Sequence, residues 1–379
     1  IHMVDDALVS RARKAKAWML DASLPFWADH GVHPVRGFRE RLTMDGAPIE
    51  DDDTRVRLQA RQTFCFAFGK VMGWSDDRAD ALVARGTDVL TTHCRRPDGL
   101  YGARMSYRGG LSVETADLYD TAFALLGFSW AHRIAVEGAP EAAIAAHAAI
   151  DDVLKRPATE GGFREALPTP EHRLQNPHMH LFESSLALHE ATGDAGALAR
   201  AEGIETLLET RFLTEDGALR EVFAPDWGPA DGDRFEAGHQ YEWVWLMAER
   251  ARLSGKTVSK AAEGLYRKAL ALTGADSEVA LSHTLDDDVL DATERTWGLT
   301  EALKAHLARL LQGDSAAEHR AIETFDRMWA RHVDPAPEGG WLDKYGPDGV
   351  AVTADMTAAT GYHIYVAIAE MERVCDLLS

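Results

Sequence analysis

The stretch 177–212, PHMHLFESSLALHEATGDAGALARAEGIETLLETRF, contains the pattern that decides the fold. Apolar residues recur at three- and four-residue spacing on both sides of Gly193-Asp194, which predicts two helices, 177–192 and 195–212. Glycine tolerates the left-handed conformation that ends a helix, and aspartate can cap the helix that follows. The stretch therefore predicts a helical hairpin with a short turn.

The same hairpin recurs along the whole chain, which reads as all-α. Ten further helices are predicted at 4–30, 53–72, 76–95, 114–137, 140–155, 236–253, 258–273, 288–312, 315–332 and 355–378. Short turns alternate with long connections, and each long connection leads into an even-numbered helix: 31–52, 96–113, 156–176, 213–235, 274–287 and 333–354. Hairpins repeated six times at about 60 residues predict an (α/α)6 barrel with the even helices inside, and an open solenoid is the alternative.

Composition is that of a globular protein, with 46% hydrophobic and 27% charged residues. The 379-residue chain carries 40 Lys and Arg against 61 Asp and Glu, a formal net charge of −21. A surface this acidic repels nucleic acid and anionic lipid, so neither is expected as a partner. We predict one catalytic domain over residues 4–379, with residues 1–3 as a cloning remnant.

The predicted compartment is the cytoplasm. No apolar run reaches the ~18 residues that a membrane span needs, and the first residues lack the basic and apolar regions of a signal peptide. Cys65, Cys94 and Cys375 are odd in number and widely spaced, which fits neither a disulfide framework nor a zinc site.

Titratable and aromatic side chains are concentrated in the first turns of the even helices. His180 with Glu183, and His239 with Glu242, form two His-x-x-Glu pairs, and residues three apart share a helix face. A carboxylate beside an imidazole fixes its tautomer and raises the basicity of the other ring nitrogen, which suits proton transfer. His363, on a third even helix, favours catalysis over core packing for all three histidines.

A metal site is the alternative for these residues. Di-iron bundles place carboxylates and Glu-x-x-His motifs on four helices, whereas the order here is reversed and the bridging glutamates are not evident. We therefore expect no metal and no cofactor. Arg61 is the arginine singled out for substrate binding, because it lies deep in its helix beside an apolar run.

At these positions the chain resembles the N-acyl-D-glucosamine 2-epimerase superfamily, which includes mannose isomerases, cellobiose 2-epimerases and sulfoquinovose isomerase. The resemblance spans nearly the whole chain. It is carried, in order, by Leu118-Tyr119-Asp120-Thr121-Ala122-Phe123, Asn176-x-His178-Met179-His180-x-x-Glu183, Gly238-His239-x-x-Glu242-Trp243, Trp297-x-x-x-Glu301-Ala302 and Tyr362-His363.

The resemblance implies an (α/α)6 barrel and metal-independent isomerisation or 2-epimerisation of an unmodified sugar. It implies that His239 and His363 are the paired acid/base groups, with Glu242 as the partner of His239. Arg61 and His180 would then bind the sugar oxygens near C1 and C2. Further substrate-binding or supporting positions are predicted at Tyr119, Asn176, Glu183, Trp297 and Glu301.

We predict an aldose–ketose isomerase that acts on D-mannose and D-fructose through an enediol or enediolate, with His363 as the base at C2. Ala358 stands where cellobiose epimerases carry a tryptophan, which favours a monosaccharide. Two alternatives in the same site are 2-epimerisation of D-glucose and D-mannose, and isomerisation of mannose 6-phosphate. A helical-barrel glycoside hydrolase would need two carboxylates, with Asp120 and Glu301 as candidates, and would leave the histidines without a role.

Overall fold

The computed structural model describes residues 3–379, so the first two residues of the predicted cloning remnant lie outside the described part of the chain. The first helix comprises α1 (Asp6–Trp18) and α2 (Leu24–His30), joined by a π-helical turn at Met19–Ser23. Eleven more follow in residues 3–379: α3 (Val56–Val71), α4 (Ala79–Val89), α5 (Leu118–Arg133), α6 (Ala139–Ala149), α7 (Gln175–Thr192), α8 (Ala195–Leu207), α9 (Ala237–Ser254), α10 (Ala261–Leu272), α11 (Thr296–Leu311), α12 (Ala316–Met328) and α13 (Gly361–Leu378).

The helices form two concentric rings. In the inner ring α3, α5, α7, α9, α11 and α13 each pack against the next, and α13 packs against α3 to close the circle. In the outer ring each helix lies on the inner helix that precedes it, such as α4 on α3, and α1 lies on α13. The predicted (α/α)6 barrel is confirmed, and the open solenoid is excluded.

The inner and outer helices differ in how their apolar residues are distributed, because the inner helices are covered on all sides and the outer helices on one. The inner helix α5, LYDTAFALLGFSWAHR, has apolar or small residues around its whole circumference and is buried along most of its length. The outer helix α12, AAEHRAIETFDRM, has one apolar stripe that includes Ala317, Ala321 and Phe325, and polar residues elsewhere. A helix with one apolar stripe faces solvent on its other side, whereas one that is apolar all round must be covered.

Four outer helices after the first also end in a five-residue π-helical turn: Leu90–Cys94, Ile150–Leu154, Leu208–Phe212 and Trp329–Val333. Long connections follow these turns, and they carry most of the strands of the described chain. The strands are β1 (Arg41–Leu42), β2 (Asp53–Arg55), β3 (Gly102–Ser106), β4 (Leu111–Asp117), β5 (Ala166–Leu167), β6 (Arg173–Leu174), β7 (Val222–Phe223), β8 (Ala280–His283), β9 (Val289–Arg295), β10 (Lys344–Tyr345) and β11 (Met356–Thr357).

These strands form small antiparallel sheets, ordered β1-β11, β10-β9-β8, β2-β3-β4-β5 and β6-β7. They correct the starts of four predicted helices. The helices predicted at 53–72 and 114–137 begin at Val56 and Leu118, because the preceding residues form β2 and β4. The helices predicted at 288–312 and 355–378 begin at Thr296 and Gly361, because β9 and β11 lie before them. In each case pairing with another strand overrides the local helical pattern.

Within residues 3–379, no helix is both long enough and apolar enough to span a bilayer. Cys65, Cys94 and Cys375 are buried and free.

The close packing of α4 on α3 makes a testable prediction. Gly86 of α4 is buried against Thr63, and an added Cβ would overlap the Thr63 hydroxyl and crowd Phe38. We expect Gly86→Ala to destabilise the protein by about 1–3 kcal/mol in denaturant unfolding, because overpacking outweighs the gain in helix propensity.

Gly203→Ala is the matched control. Gly203 also lies within an outer helix, α8, but it is exposed and an added Cβ would meet nothing within 4 Å. There we expect stabilisation of roughly 0.5–1 kcal/mol. Equal effects at the two glycines would contradict the packing that we describe.

Candidate active site

A cavity of about 280 Å³ opens at the end of the barrel that carries the strands and the N-termini of the inner helices. Every inner helix contributes to its lining. All of the site residues predicted from sequence line it except Glu183 and Glu301: Arg61, Tyr119, Asn176, His180, His239, Glu242, Trp297 and His363. The alternation of short and long connections thus brings together residues that are far apart in sequence.

The long connections contribute unequally. Asp343 comes from connection 333–354, which was predicted at the mouth. Asn176, the last residue of the predicted connection 156–176, belongs instead to the first turn of α7. Connections 96–113 and 213–235 were also predicted there, but they contribute no lining residue. Connection 274–287, which was not predicted there, contributes Leu281 through β8.

His180 and Glu183 form the predicted pair on one face of α7. The Nδ1 atom of His180 lies 3.1 Å from Oε2 of Glu183, whose other oxygen accepts a hydrogen bond from the Tyr362 hydroxyl. Glu183 therefore lies beneath His180 rather than in the cavity wall, which corrects its assignment as a substrate-binding residue. Burial lowers the pKa of His180 to about 4, although Glu183 opposes this effect.

His239 has different partners from the one predicted. Its Nδ1 atom lies 2.8 Å from Oε1 of Glu221, in the connection before α9, and 3.1 Å from Oε2 of Glu236. No hydrogen bond joins it to Glu242 in the described chain, so that predicted pairing is wrong. Burial alone would lower the pKa of His239, but Glu221 and Glu236 outweigh burial and raise the pKa to about 10. His239 is therefore an imidazolium at neutral pH.

Glu242 is left as a buried carboxyl group that faces the cavity, and its Oε1 atom has no hydrogen-bond partner among the described residues. Burial and the neighbouring Glu301 raise the pKa of Glu242 well above its usual range. A protonated carboxyl in this position can donate a hydrogen bond to a ligand oxygen as well as accept one.

His363 is held from across the ring. Its Nδ1 atom lies 2.8 Å from Oε1 of Glu301, which is fully buried on α11 beneath the cavity. Glu301 is thus a supporting residue and does not line the cavity. Burial lowers the pKa of His363 well below its usual range, and Arg61 and Lys304 lower it further. His363 is therefore neutral, the reverse of His239.

The Trp297 ring lies between these two histidines, with its centroid 4.9 Å from that of His239 and 6.1 Å from that of His363. The cavity thus has a protonated imidazole on α9, which can donate a proton, and a neutral imidazole on α13, which can accept one, with an apolar ring beside both. Two groups in opposite protonation states can serve as the acid and the base of a proton transfer.

Arg61 is buried and has no carboxylate partner among the described residues. It donates from Nη2 to the Tyr119 hydroxyl at 2.6 Å and from Nη1 to the carbonyl oxygen of Ala359 at 3.3 Å. Its Nε atom has no hydrogen-bond partner in the described chain. Because its charge is not neutralised by a carboxylate, Arg61 can stabilise negative charge that develops on a bound ligand.

The other arginines of the lining are paired with carboxylates. Arg55 pairs with Glu40, and Arg295 with Asp343 at 2.8 Å. Arg57 binds Asp120 through two hydrogen bonds of 3.0 and 3.1 Å. Asp120 is fully buried behind Arg57, and neither it nor Glu301 lines the cavity. The carboxylate pair proposed for a glycoside hydrolase is therefore not presented to a substrate.

Two groups have the ligand types for a metal ion, with ligand atoms within 4.8 Å of one another: His180, Glu183 and Glu242, and Glu221, Glu236 and His239. In each, the Nδ1 atom of the histidine already lies within 3.2 Å of a carboxylate oxygen. Both groups therefore have the ligand types for a cation as well as the hydrogen bonds and ion pairs described above.

Sequence reasoning missed Glu221, Glu236 and Lys304. Glu236 stands three residues before His239, so the spacing that suggested Glu242 applied equally in the other direction. Lys304 stands three residues after Glu301 and is fully buried, but a lysine on a helix is usually solvated. Glu221 lies in a connection and gives no local signal.

Comparison with known proteins gives concordant results. The sequence model described as N-acylglucosamine 2-epimerase matches residues 37–367. The mannose-6-phosphate isomerase of Rhizobium meliloti (strain 1021) is 35% identical over 381 residues, covering 96% of this chain and 97% of that protein. The D-mannose isomerase of Thermobifida fusca is 30% identical over 379 residues, covering 88% and 92%. The cellobiose 2-epimerase structure from Spirochaeta thermophila DSM 6192 has a TM-score of 0.86 at 20% identity, covering 98% of each chain, and shares the fold.

The ion pair of His239 makes a testable prediction. Because its folded-state pKa of about 10 exceeds the unfolded value of about 6.5, the pair stabilises the fold fully below pH ~6.5. That contribution is lost as the pH rises toward about 10. We expect NMR to find His239 protonated at pH 8, and Glu221→Gln to lower its pKa and to flatten the decline in stability.

Glu215→Gln is the control, since Glu215 lies in the same connection but is exposed. It should leave both the His239 titration and the pH profile of stability unchanged. A neutral His239 at pH 8 in the wild-type protein would contradict the assignment.

Proposed function

The chain belongs to the N-acylglucosamine 2-epimerase family, and we propose that this sugar isomerase or epimerase is an aldose–ketose isomerase that interconverts D-mannose and D-fructose. One observation carries the proposal: His239 and His363 face the same cavity, and each is held through Nδ1 by a buried glutamate, Glu221 or Glu301, at 2.8 Å. Their surroundings raise the pKa of His239 and lower that of His363. The enzyme belongs to the isomerase class, and features of the cavity support the choice of reaction and substrate.

Ring opening is the first step that the pair can assist. His239 donates a proton to the ring oxygen and takes up the proton of O1 as the bond between C1 and the ring oxygen breaks, so that it ends the step as an imidazolium again. The product is the open aldehyde. His363 then removes the proton from C2, because its Nδ1–H is held by Glu301 and its Nε2 lone pair is free.

The electrons of the C2–H bond form the C1–C2 double bond of an enediolate, and negative charge develops on O1. Arg61 and the Glu242 carboxyl supply hydrogen-bond donors for that charge, and the Nε2 lone pair of neutral His180 can accept a hydrogen bond from the O2 hydroxyl. Donors fixed in a water-poor site before the reaction lower the barrier without further reorganisation. Return of the same proton from His363 to C1, with transfer of the O2 proton to O1, gives the ketose.

The unequal histidines favour isomerisation over 2-epimerisation. Epimerisation removes a proton from one face of C2 and adds one to the other, which leaves His363 protonated and His239 neutral. Each unit of pKa difference adds about 1.4 kcal/mol to the cost of that exchanged state. Isomerisation returns the proton through His363 and leaves both histidines as they began.

The cavity favours a free monosaccharide. Its volume of about 280 Å³ lies just below the ~300–1,000 Å³ typical of ligand pockets. Ala358 leaves no aromatic ring at the position where cellobiose epimerases carry one. Arg55, Arg57 and Arg295 are already paired with carboxylates, so a phosphate would have to compete for them.

Mannose 6-phosphate is the second candidate substrate. The relative from Rhizobium meliloti is named for that activity. Arg55 and Arg295 are the more exposed arginines of the lining, with side-chain exposures of 36% and 39%. They are therefore the groups that could turn toward a phosphate at C6.

Proton NMR in deuterated water distinguishes the candidate substrates and reactions. D-mannose and mannose 6-phosphate are offered separately to enzyme dialysed against EDTA. We expect D-mannose to yield D-fructose with little D-glucose, and at a higher kcat/KM than the phosphate ester. Faster conversion of the ester would favour the second candidate, and predominant D-glucose would favour epimerisation. Loss of turnover that zinc or manganese restores would support a metal site instead.

Variants at the two histidines test their roles. We expect His363→Ala to abolish both ketose formation and deuterium exchange at C2, since a missing acid or base costs about 10²–10⁴ in rate. His239→Ala should lose turnover of the ring form but retain C2 exchange with sugar supplied in open form. Thermal unfolding near that of wild type is the control, and full C2 exchange in folded His363→Ala would reverse the assignment.

A further inference from the structure

Lys304 is a buried charge that the reaction scheme does not use. It lies on the inner helix α11, one turn after Glu301, and has no exposed surface. Its Nζ atom lies 2.8 Å from Oε2 of Glu301 and 3.8 Å from the centroid of the Trp245 ring. Burying an ammonium is costly unless opposite charges surround it, so this position requires compensating carboxylates.

Those carboxylates are the ones beneath the catalytic histidines. Glu301, Glu242 and Glu183 together outweigh burial and raise the pKa of Lys304. Glu301 contacts His363, Glu183 contacts His180, and Glu242 lies one turn after His239. Lys304 is thus a cation among the groups that hold the cavity's histidines from below.

The side chain of Glu301 lies between Lys304 and His363 and contacts both. One oxygen of Glu301 faces the ammonium and the other faces Nδ1 of His363, each at 2.8 Å. Burial raises the pKa of Glu301, and Lys304 is the largest influence that opposes burial. A neutral carboxyl group could place its own hydrogen toward Nδ1 and so move the imidazole hydrogen to Nε2.

We propose that Lys304 is a positioning residue whose ammonium keeps Glu301 ionised, so that His363 carries its hydrogen on Nδ1 and presents the Nε2 lone pair to the cavity. The catalytic consequence of this role rests on the proposed function. The tautomer of His363 does not, because it is a property of the free protein.

Removal of the Lys304 ammonium should cost His363 its free Nε2 lone pair, by either of two routes. Without Lys304, either Glu301 takes up a proton or His363 does, because the pair is left with an uncompensated buried negative charge. In both cases the free Nε2 lone pair is lost until the pH is raised. The other charged or titratable groups that face the pair from the surrounding helices remain: Arg61 on α3, His180 and Glu183 on α7, His239 and Glu242 on α9, and Tyr362 on α13.

The first test needs no substrate. In wild-type protein labelled with ¹⁵N, imidazole NMR should find His363 neutral with its hydrogen on Nδ1 from pH 8 to below pH 6. A hydrogen on Nε2, or protonation near the ordinary pKa of about 6.5, overturns the proposal. If the tautomer is as expected but D-mannose is not converted, the proposed function fails and the role of Lys304 in holding His363 stands.

The second test uses Lys304→Met, which keeps the length of the side chain and removes its charge. We expect the acid limb of the kcat/KM profile to move up by at least one pH unit, with a tenfold or greater loss below that limb and partial recovery at higher pH. Lys304→Arg should keep the limb near its wild-type position. Lys70→Met, at an exposed ion pair with Asp80, is the control and should not move it.

A uniform loss of activity at every pH, with the limb unmoved, would make Lys304 a structural residue and overturn the proposal. If Lys304→Met does not fold, the proposal is judged from the tautomer of His363 in the wild-type protein and from the pH profile of kcat/KM in Lys304→Arg. An Arg variant that folds but has the acid limb displaced by a unit or more counts against the proposal.

Discussion

The contact between α13 and α3 closes the inner ring, and the site depends on that closure. His363 is on the last inner helix and Arg61 on the first, yet both line one cavity. The guanidinium of Arg61 donates to the Ala359 carbonyl oxygen just before α13, so a polar contact also spans the join. Without closure the inner helices would have an exposed apolar edge, and His363 would be separated from Arg61.

Closure also accounts for the buried charge. Glu301 and Lys304 have no exposed surface inside the ring of six helices, and a carboxylate buried in this way keeps its charge only beside a cation or a strong donor. Glu301 has Lys304 and His363, and Glu221 has His239. The pairs that compensate the buried charge of these carboxylates also contribute to the difference in pKa between His239 and His363. Stability and reactivity therefore rest on the same contacts here.

The sequence predicted what depends on local spacing. The hairpins, their alternation and the His180–Glu183 pair all follow from residues at most a turn apart. The partners of the other histidines did not follow in this way. Glu301 contacts His363 although the two residues are 62 positions apart in sequence. Glu221 contacts His239 from the long connection before α9. The strands β4 and β9 were missed for a related reason, since each is defined by pairing with another strand rather than by its own residues.

Five of the outer helices contain or end in π-helical turns within the described chain, and the four after α1 are each followed by a long connection. A π-helical turn widens the helix by one residue per turn and so absorbs a change of length within the helix itself. An added residue can then be accommodated inside an outer helix while the two rings keep their register. Because the π-helical turns belong to the outer helices and the first residues of the inner helices line the cavity, such a change of length need not alter the cavity.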